Sequence, residues 1–161
     1  MQAFIRDNDE TFNKFKRTVA LAKAPLIHET PDGTVECVWE YYDTGSLGGL
    51  NPATCPTLVC LPDVAGTALM FYHLLVKLPP LGIRVVALTP PAYRSWDNFL
   101  SGLDRLLYTN LGIKSSYVLG VGIGGLYAQA IKKMRHPRFK GIILCNSYCS
   151  TIHFATASSI L

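Results

Sequence analysis

Residues 120–125, GVGIGG, place glycine at positions 120, 122, 124 and 125, where an apolar run gives way to a helix-like pattern. Two chemistries use glycines in this way. In one, Gly120, Gly122 and Gly125 fit G-x-G-x-x-G, whose glycines let the backbone approach a pyrophosphate at a helix N-terminus. That chemistry needs an acidic residue about twenty positions on to hold the ribose hydroxyls. Here the next strand-like run ends in Asn146-Ser147, and no Asp or Glu follows Asp104. A basic residue there would suit an extra phosphate, but the glycines belong to a late strand rather than to a first strand–helix–strand unit. In the other, Gly120 and Gly124 are the outer glycines of a G-x-S-x-G nucleophile elbow, a turn so tight that side chains there would collide. The central residue, where Ser, Cys or Asp would attack, is Gly122.

An elbow also brings backbone donors. One is the N–H after the nucleophile, here Ile123; another comes from the loop after an earlier strand, here Asp63 to Gly66. The Val64 and Ile123 amides are therefore expected to form a vestigial oxyanion hole able to hold a carboxylate or small anion. A hydrolytic relay runs in the order nucleophile, acid, histidine. After position 122 there is no carboxylate, and the only histidines are His136 and His153. His28 and His73 precede the elbow and read as locally bonded or partly exposed residues. Ser115, Ser116, Ser147 and Ser150 lack an elbow, and Cys60 and Cys145 read as core thiols. No catalytic residue is expected.

Cys145, Cys149 and His153 can be written as a metal triplet, but four-residue steps out of a strand do not build a compact site. No metal and no cofactor are expected. The five cysteines, Cys37, Cys55, Cys60, Cys145 and Cys149, are odd in number and lie mostly in apolar runs, which suits reduced thiols rather than disulfides.

The elements that must position these residues are legible as alternating runs. Thr34–Tyr42 is strand-like; Thr57–Leu61, Arg84–Leu88, Tyr117–Gly120 and Gly141–Cys145 are short, nearly continuous apolar runs, the pattern of parallel strands covered on both faces. Ala68–Leu78 is helix-like. Ser95 is placed to cap a helix carrying Trp96, Phe99, Leu100, Leu103, Leu106 and Leu107, with Asn110 and Gly112 to stop it. A third helix follows the glycines, with Leu126, Ala130 and Met134 on one stripe and Tyr127 and Ile131 beside it, and ends at His136-Pro137. Strand and helix in alternation give an α/β sheet with right-handed crossovers.

With 161 residues, 49% of them apolar, the chain can bury one core, and 1–161 reads as a single domain. The opening residues lack the pattern of a secretory signal and no window has the length of a membrane span, so a cytosolic, non-transmembrane protein is expected. The net charge of +4 is uneven: all 11 acids lie at or before Asp104, while the last 57 residues carry seven Lys or Arg. The basic run KKMRHPRFK, 132–140, sits at a helix end, where cations complement the dipole. Without a nucleic-acid module, nucleic-acid binding is not expected.

The motifs occur in a recognisable order. The stretches FKRTVALAKA, LVCLPDVAGTALMFYHLL, LGIRVVALTPPAYRSWDNFLSGLDRLL, YVLGVGIGGLYAQ and GIILCNSYCST, spread over Phe15 to Phe154, resemble the α/β-hydrolase fold superfamily. The resemblance implies a mostly parallel sheet with helices on both faces, here lacking the last strands and the cap, hence an incomplete domain. It is to a branch that carries serine in the turn, where this chain has Gly122. That branch implies a cytosolic binding or regulatory protein of intracellular trafficking or signalling, with protein partners and peripheral membrane association at the endosome or trans-Golgi. The leading expectation is a non-catalytic protein with a vestigial elbow at Gly120, Gly122 and Gly124. A serine-hydrolase-type esterase or lipase is the alternative, and a nucleotide-binding domain is the second.

Overall fold

The computed structural model describes residues 9–30, 33–47, 50–51, 54–93, 95–133 and 138–147. They form helix α1 (Asp9–Thr18) and strands β1 (Leu21–Thr30), β2 (Gly33–Asp43) and β3 (Thr57–Leu61). A 3-10 turn over Ala68–Phe71 leads into α2 (Tyr72–Lys77), followed by β4 (Arg84–Thr89) and α3 (Trp96–Asp104). After a π-helical turn at Arg105–Asn110 come β5 (Ser116–Val121), α4 (Ile123–Lys133) and β6 (Phe139–Cys145). One sheet results, in the order β1-β2-β4-β3-β5-β6. Strands β4, β3, β5 and β6 run parallel, and β2 pairs antiparallel with both β4 and the edge strand β1.

The apolar runs of β3 and β4 are strands because both faces are covered. Side-chain alternation sends Val59, Leu61, Val86 and Leu88 to one face, against Phe99 and Leu103 of α3 and Ala128 and Ile131 of α4. Leu58, Cys60, Val85 and Ala87 point to the other, against Phe15 of α1 and Ala68, Phe71 and Leu75 of the 3-10 turn and α2. Each such large side chain contributes about 1.5–3 kcal/mol when fully buried. The expected α/β architecture with helices on both faces is the one observed.

Several local expectations change. β1 and α1 were not separate elements in the sequence reading. In β1, Ala24, Leu26 and His28 are buried while Lys23, Pro25 and Ile27 face out, a period-2 alternation that a proline and a histidine disguise. An edge strand tolerates Pro25 because it leaves one row of N–H groups unpaired in any case. Ser95 occupies the N-cap position, but its hydroxyl makes no capping bond; its carbonyl accepts from Phe99 N–H at 3.1 Å. The segment from Ala68 starts as a 3-10 turn rather than an α-helix, tied to the end of β4 by the Ala68 N–H, which donates to Thr89 Oγ1 at 2.7 Å. β6 is an edge strand with Ile143 and Leu144 nearly half exposed, so it is not covered on both faces among the described residues.

Two polar links cross the core. Arg84, 4% exposed, donates from Nε and Nη2 to the two oxygens of Asp43, at 2.9 and 2.6 Å, and from Nη2 to Leu111 O at 3.2 Å. Near α3, Trp39 Nε1 donates to Tyr93 Oη at 2.7 Å, and Tyr93 Oη lies 3.0 Å from His28 Nε2. Indole N–H can only donate, so the phenol oxygen accepts from Trp39. Burial and then the charge of Arg105 hold the His28 pKa below 6.5, so the ring stays neutral. The unfolded chain then binds a proton that the folded chain resists. Stability is full above about pH 6.5 and falls as pH drops below it, with a slope from this group of at most about 1.4 kcal/mol per pH unit. His28→Gln is expected to flatten the urea midpoint between about pH 7 and about pH 5; equal slopes in both proteins would refute this assignment.

Candidate functional site

β5 runs into α4 through Gly122, whose φ of +53° lies in the left-handed region. The glycines on either side are there for backbone contact. A Cβ on Gly120 would meet Gly124 O at 2.3 Å, and one on Gly124 would meet Leu61 O at 2.2 Å. α4 therefore starts with its main chain directly against the ends of β5 and β3. The vestigial elbow residues Gly120, Gly122 and Gly124 thus lie at one strand-to-helix turn, and Gly122 N–H donates across to Cys145 O at 3.2 Å.

The loop after β3 closes over this turn. Gly66 N–H donates to Asp63 O at 2.9 Å, and Ala65 takes a φ of +57°. The tight loop swings the Asp63 side chain onto the elbow. Its Oδ1 accepts from Val64 N–H at 2.8 Å and from Ile123 N–H at 3.0 Å. The two amides expected to form an oxyanion hole do converge, but the oxygen they share belongs to the chain itself. The same carboxylate fills the room of the missing nucleophile: a Cβ on Gly122 would lie 2.0 Å from Asp63 Oδ1 and 2.1 Å from Cγ. The bonds from Ile123 and then Val64 hold the Asp63 pKa below the usual carboxylate value of 3.8, so the group is ionised at neutral pH.

Beside Asp63 lies a cleft of about 680 Å³, lined by Pro62 to Thr67, Thr89 to Tyr93, Ser95, Trp96, Phe99, Ile123 and Tyr127. One wall is aromatic. Phe99 stacks on Trp96 with centroids 5.2 Å apart and lies 4.8 Å from Tyr127, and Tyr93 meets Phe99 edge-on at 5.9 Å. Burial pushes the Tyr93 phenol up to about 12, so it stays protonated. Its hydroxyl is anchored inward by Trp39 and His28, away from acid–base work.

The remaining candidates do not assemble. His28 is buried on β1 and bonded to Tyr93, whereas His73 is exposed and stacks near Tyr72. Ser147 Oγ meets Gln129 Nε2 at 3.2 Å and packs over Gly125, where a Cβ would meet it at 2.2 Å. Ser116 is buried, with no partner for its hydroxyl among the described residues. Cys60 is a core thiol whose pKa burial raises, but Cys145 is exposed because β6 is an edge; the core reading of Cys145 is corrected. Cys149, Ser150, His153, Met134, His136 and Pro137 lie outside the described residues. Among the described residues no cluster could hold a metal ion and no helix is long and apolar enough to cross a membrane. Of the basic run, Arg138 bonds Asp104 and lies 4.0 Å over the Tyr108 ring, while Lys132 donates to Lys140 O at 3.2 Å.

Sequence reasoning named the loop from Asp63 to Gly66 for its amides and overlooked the Asp63 side chain. The available signal was an acid placed one residue before a predicted anion-binding amide, opposite a turn with no side chain of its own.

No family model matches the chain. Over 147 residues, 89% of its length, it is 35% identical to maspardin of Homo sapiens and 33% identical to maspardin of Danio rerio, covering 44% and 43% of those proteins. The chain thus spans about half the length of the curated relatives it matches. Its fold is similar to that of a probable hydrolytic enzyme from Pseudomonas aeruginosa, with a TM-score of 0.61 at 20% identity over 80% of this chain and 42% of that one. A structure from work on carboxylesterases of Nitrososphaera gargenis gives a TM-score of 0.59 at 21% identity, over 83% of this chain and 52% of that one.

Proposed function

We propose that this homologue of maspardin, built on the α/β-hydrolase fold, is a non-catalytic protein that works by binding partners. One observation carries the reading: Asp63 takes both amides of the oxyanion hole and the volume of the nucleophile at once. An acyl-transfer enzyme needs those donors free for the oxygen of a tetrahedral intermediate, and removing one donor alone costs about a hundredfold or more in rate. Here both are committed and Gly122 supplies no attacking atom. The occupied amide of Ile123 also speaks against a pyrophosphate on this turn. Likeness to maspardin supports a place in intracellular trafficking or signalling, in the cytosol and at the periphery of endosomes or the trans-Golgi, with protein partners.

The test is hydrolysis of a short-chain nitrophenyl ester by the protein and by Gly122→Ser. Neither is expected to exceed the buffer rate. A serine Cβ at 122 would have to push the Asp63 carboxylate aside, in a backbone conformation that strains a non-glycine residue by about 1–3 kcal/mol. Turnover by either protein would overturn the proposal.

A further inference from the structure

The cleft joins two features that neither the fold nor the loss of catalysis requires. The first is a fixed negative charge. Asp63 uses Oδ1 for both amides, and among the described residues nothing donates to Oδ2. Asp63 is also the one charged side chain among the described residues that line the cleft. The second is the aromatic wall of Tyr93, Trp96, Phe99 and Tyr127. The two are geometrically coupled. Ile123, which holds the carboxylate, and Tyr127 stand four residues apart on α4, one turn along the same face. Of the four rings only Phe99 is buried; Tyr93, Trp96 and Tyr127 are partly buried at the cleft.

We propose that this cleft binds a small organic cation of the quaternary or tertiary ammonium class, its charge against Asp63 Oδ2 and its alkyl groups against Tyr93, Trp96 and Tyr127. Aromatic faces attract such cations through the ring quadrupole. The backbone amides keep the carboxylate ionised throughout the neutral range. A free anion would meet Asp63 at the amides it needs, and a neutral apolar ligand would cover Oδ2 without pairing it. The cleft volume, about 680 Å³, admits a choline-sized group with room to spare.

The inference rests on the non-catalytic reading, because it requires Asp63 to stay in the nucleophile's place. The experiment titrates the intact protein with choline, with its neutral carbon isostere 3,3-dimethylbutanol, and with acetate, following tryptophan fluorescence and amide NMR shifts. Choline is expected to bind at least about tenfold more tightly than the isostere, moving the Val64 and Ile123 amides, with acetate silent. Asp63→Asn keeps an oxygen for both amides and removes only the charge, so it is expected to erase the preference for choline. Tyr127→Leu, at a partly buried site, is expected to weaken choline by about tenfold independently. Equal binding of choline and the isostere, no binding of choline, or acetate bound in its place would each overturn the inference. The ester assay reads separately: turnover there would remove the functional reading, whereas silence in both assays would remove the cation alone.

Discussion

Gly124→Ala and Gly120→Ala are each expected to destabilise the protein by about 3 kcal/mol or more, lowering its melting temperature by roughly 6 to 12 °C for a chain of this size. The cause is contact with main chain, which has no rotamer to escape into. A methyl group at 124 would sit 2.2 Å from Leu61 O and 2.6 Å from Pro62 O, and one at 120 would sit 2.4 Å from Gly125 Cα. Relief would require α4 to lift away from β3 and β5, opening the packing of Ala128 and Ile131 on the sheet. Gly82→Ala is the control. It has a φ of +82° but open space around it, so it carries conformational strain of only about 1–2 kcal/mol. Urea midpoints for the three variants decide the matter: a loss for Gly124→Ala no greater than for Gly82→Ala would show that the close packing of α4 is wrong.

The second large effect is at the Arg84–Asp43 pair. Asp43→Ala leaves a guanidinium with 4% exposure and no counter-charge at the start of β4, which is expected to cost about 3–5 kcal/mol. The pair as such is not expected to be worth that much, because both groups are desolvated to form it. Arg84→Met combined with Asp43→Ala should therefore recover most of the loss. Thermal and urea unfolding of the two single variants and the double variant form a cycle. A double variant no more stable than Asp43→Ala would mean that Arg84 stabilises the sheet through its bond to Leu111 O and its packing, not through the ion pair.

How much of this was legible depended on whether a residue's role is set locally. β3 and β4 declared themselves because burial on both faces leaves an uninterrupted apolar run, and the elbow did so because its glycines recur at a fixed short spacing, even though Gly124 answers to the distant Leu61 carbonyl. β1 did not, since Lys23, Pro25 and His28 break the apolar signal while the alternation of Ala24, Leu26 and His28 carries it. Asp63 was illegible for a different reason. Its partner Ile123 lies sixty positions away, and only the parallel pairing of β3 with β5, Leu61 beside Gly120, brings the two together. Trp96 and Phe99 read as one apolar stripe, yet only Phe99 is buried; Trp96 turns to the cleft. Cys145 looked internal by its neighbours Ile143 and Leu144, and all three are exposed because nothing among the described residues covers the outer edge of β6.

The carboxylate of Asp63 in the space above Gly122 also bears on reversibility. A chain that had merely lost its serine could regain it by one substitution. Here serine at 122 would meet the Asp63 carboxylate, which must turn away and release the Val64 and Ile123 amides, and losing Asp63 first strips those amides of their shared acceptor. Either step costs the carboxylate its bonds to the two amides. Restoring serine at 122 is thus coupled to the Asp63 bonds with two amides, although the two positions lie far apart in sequence and meet only in space.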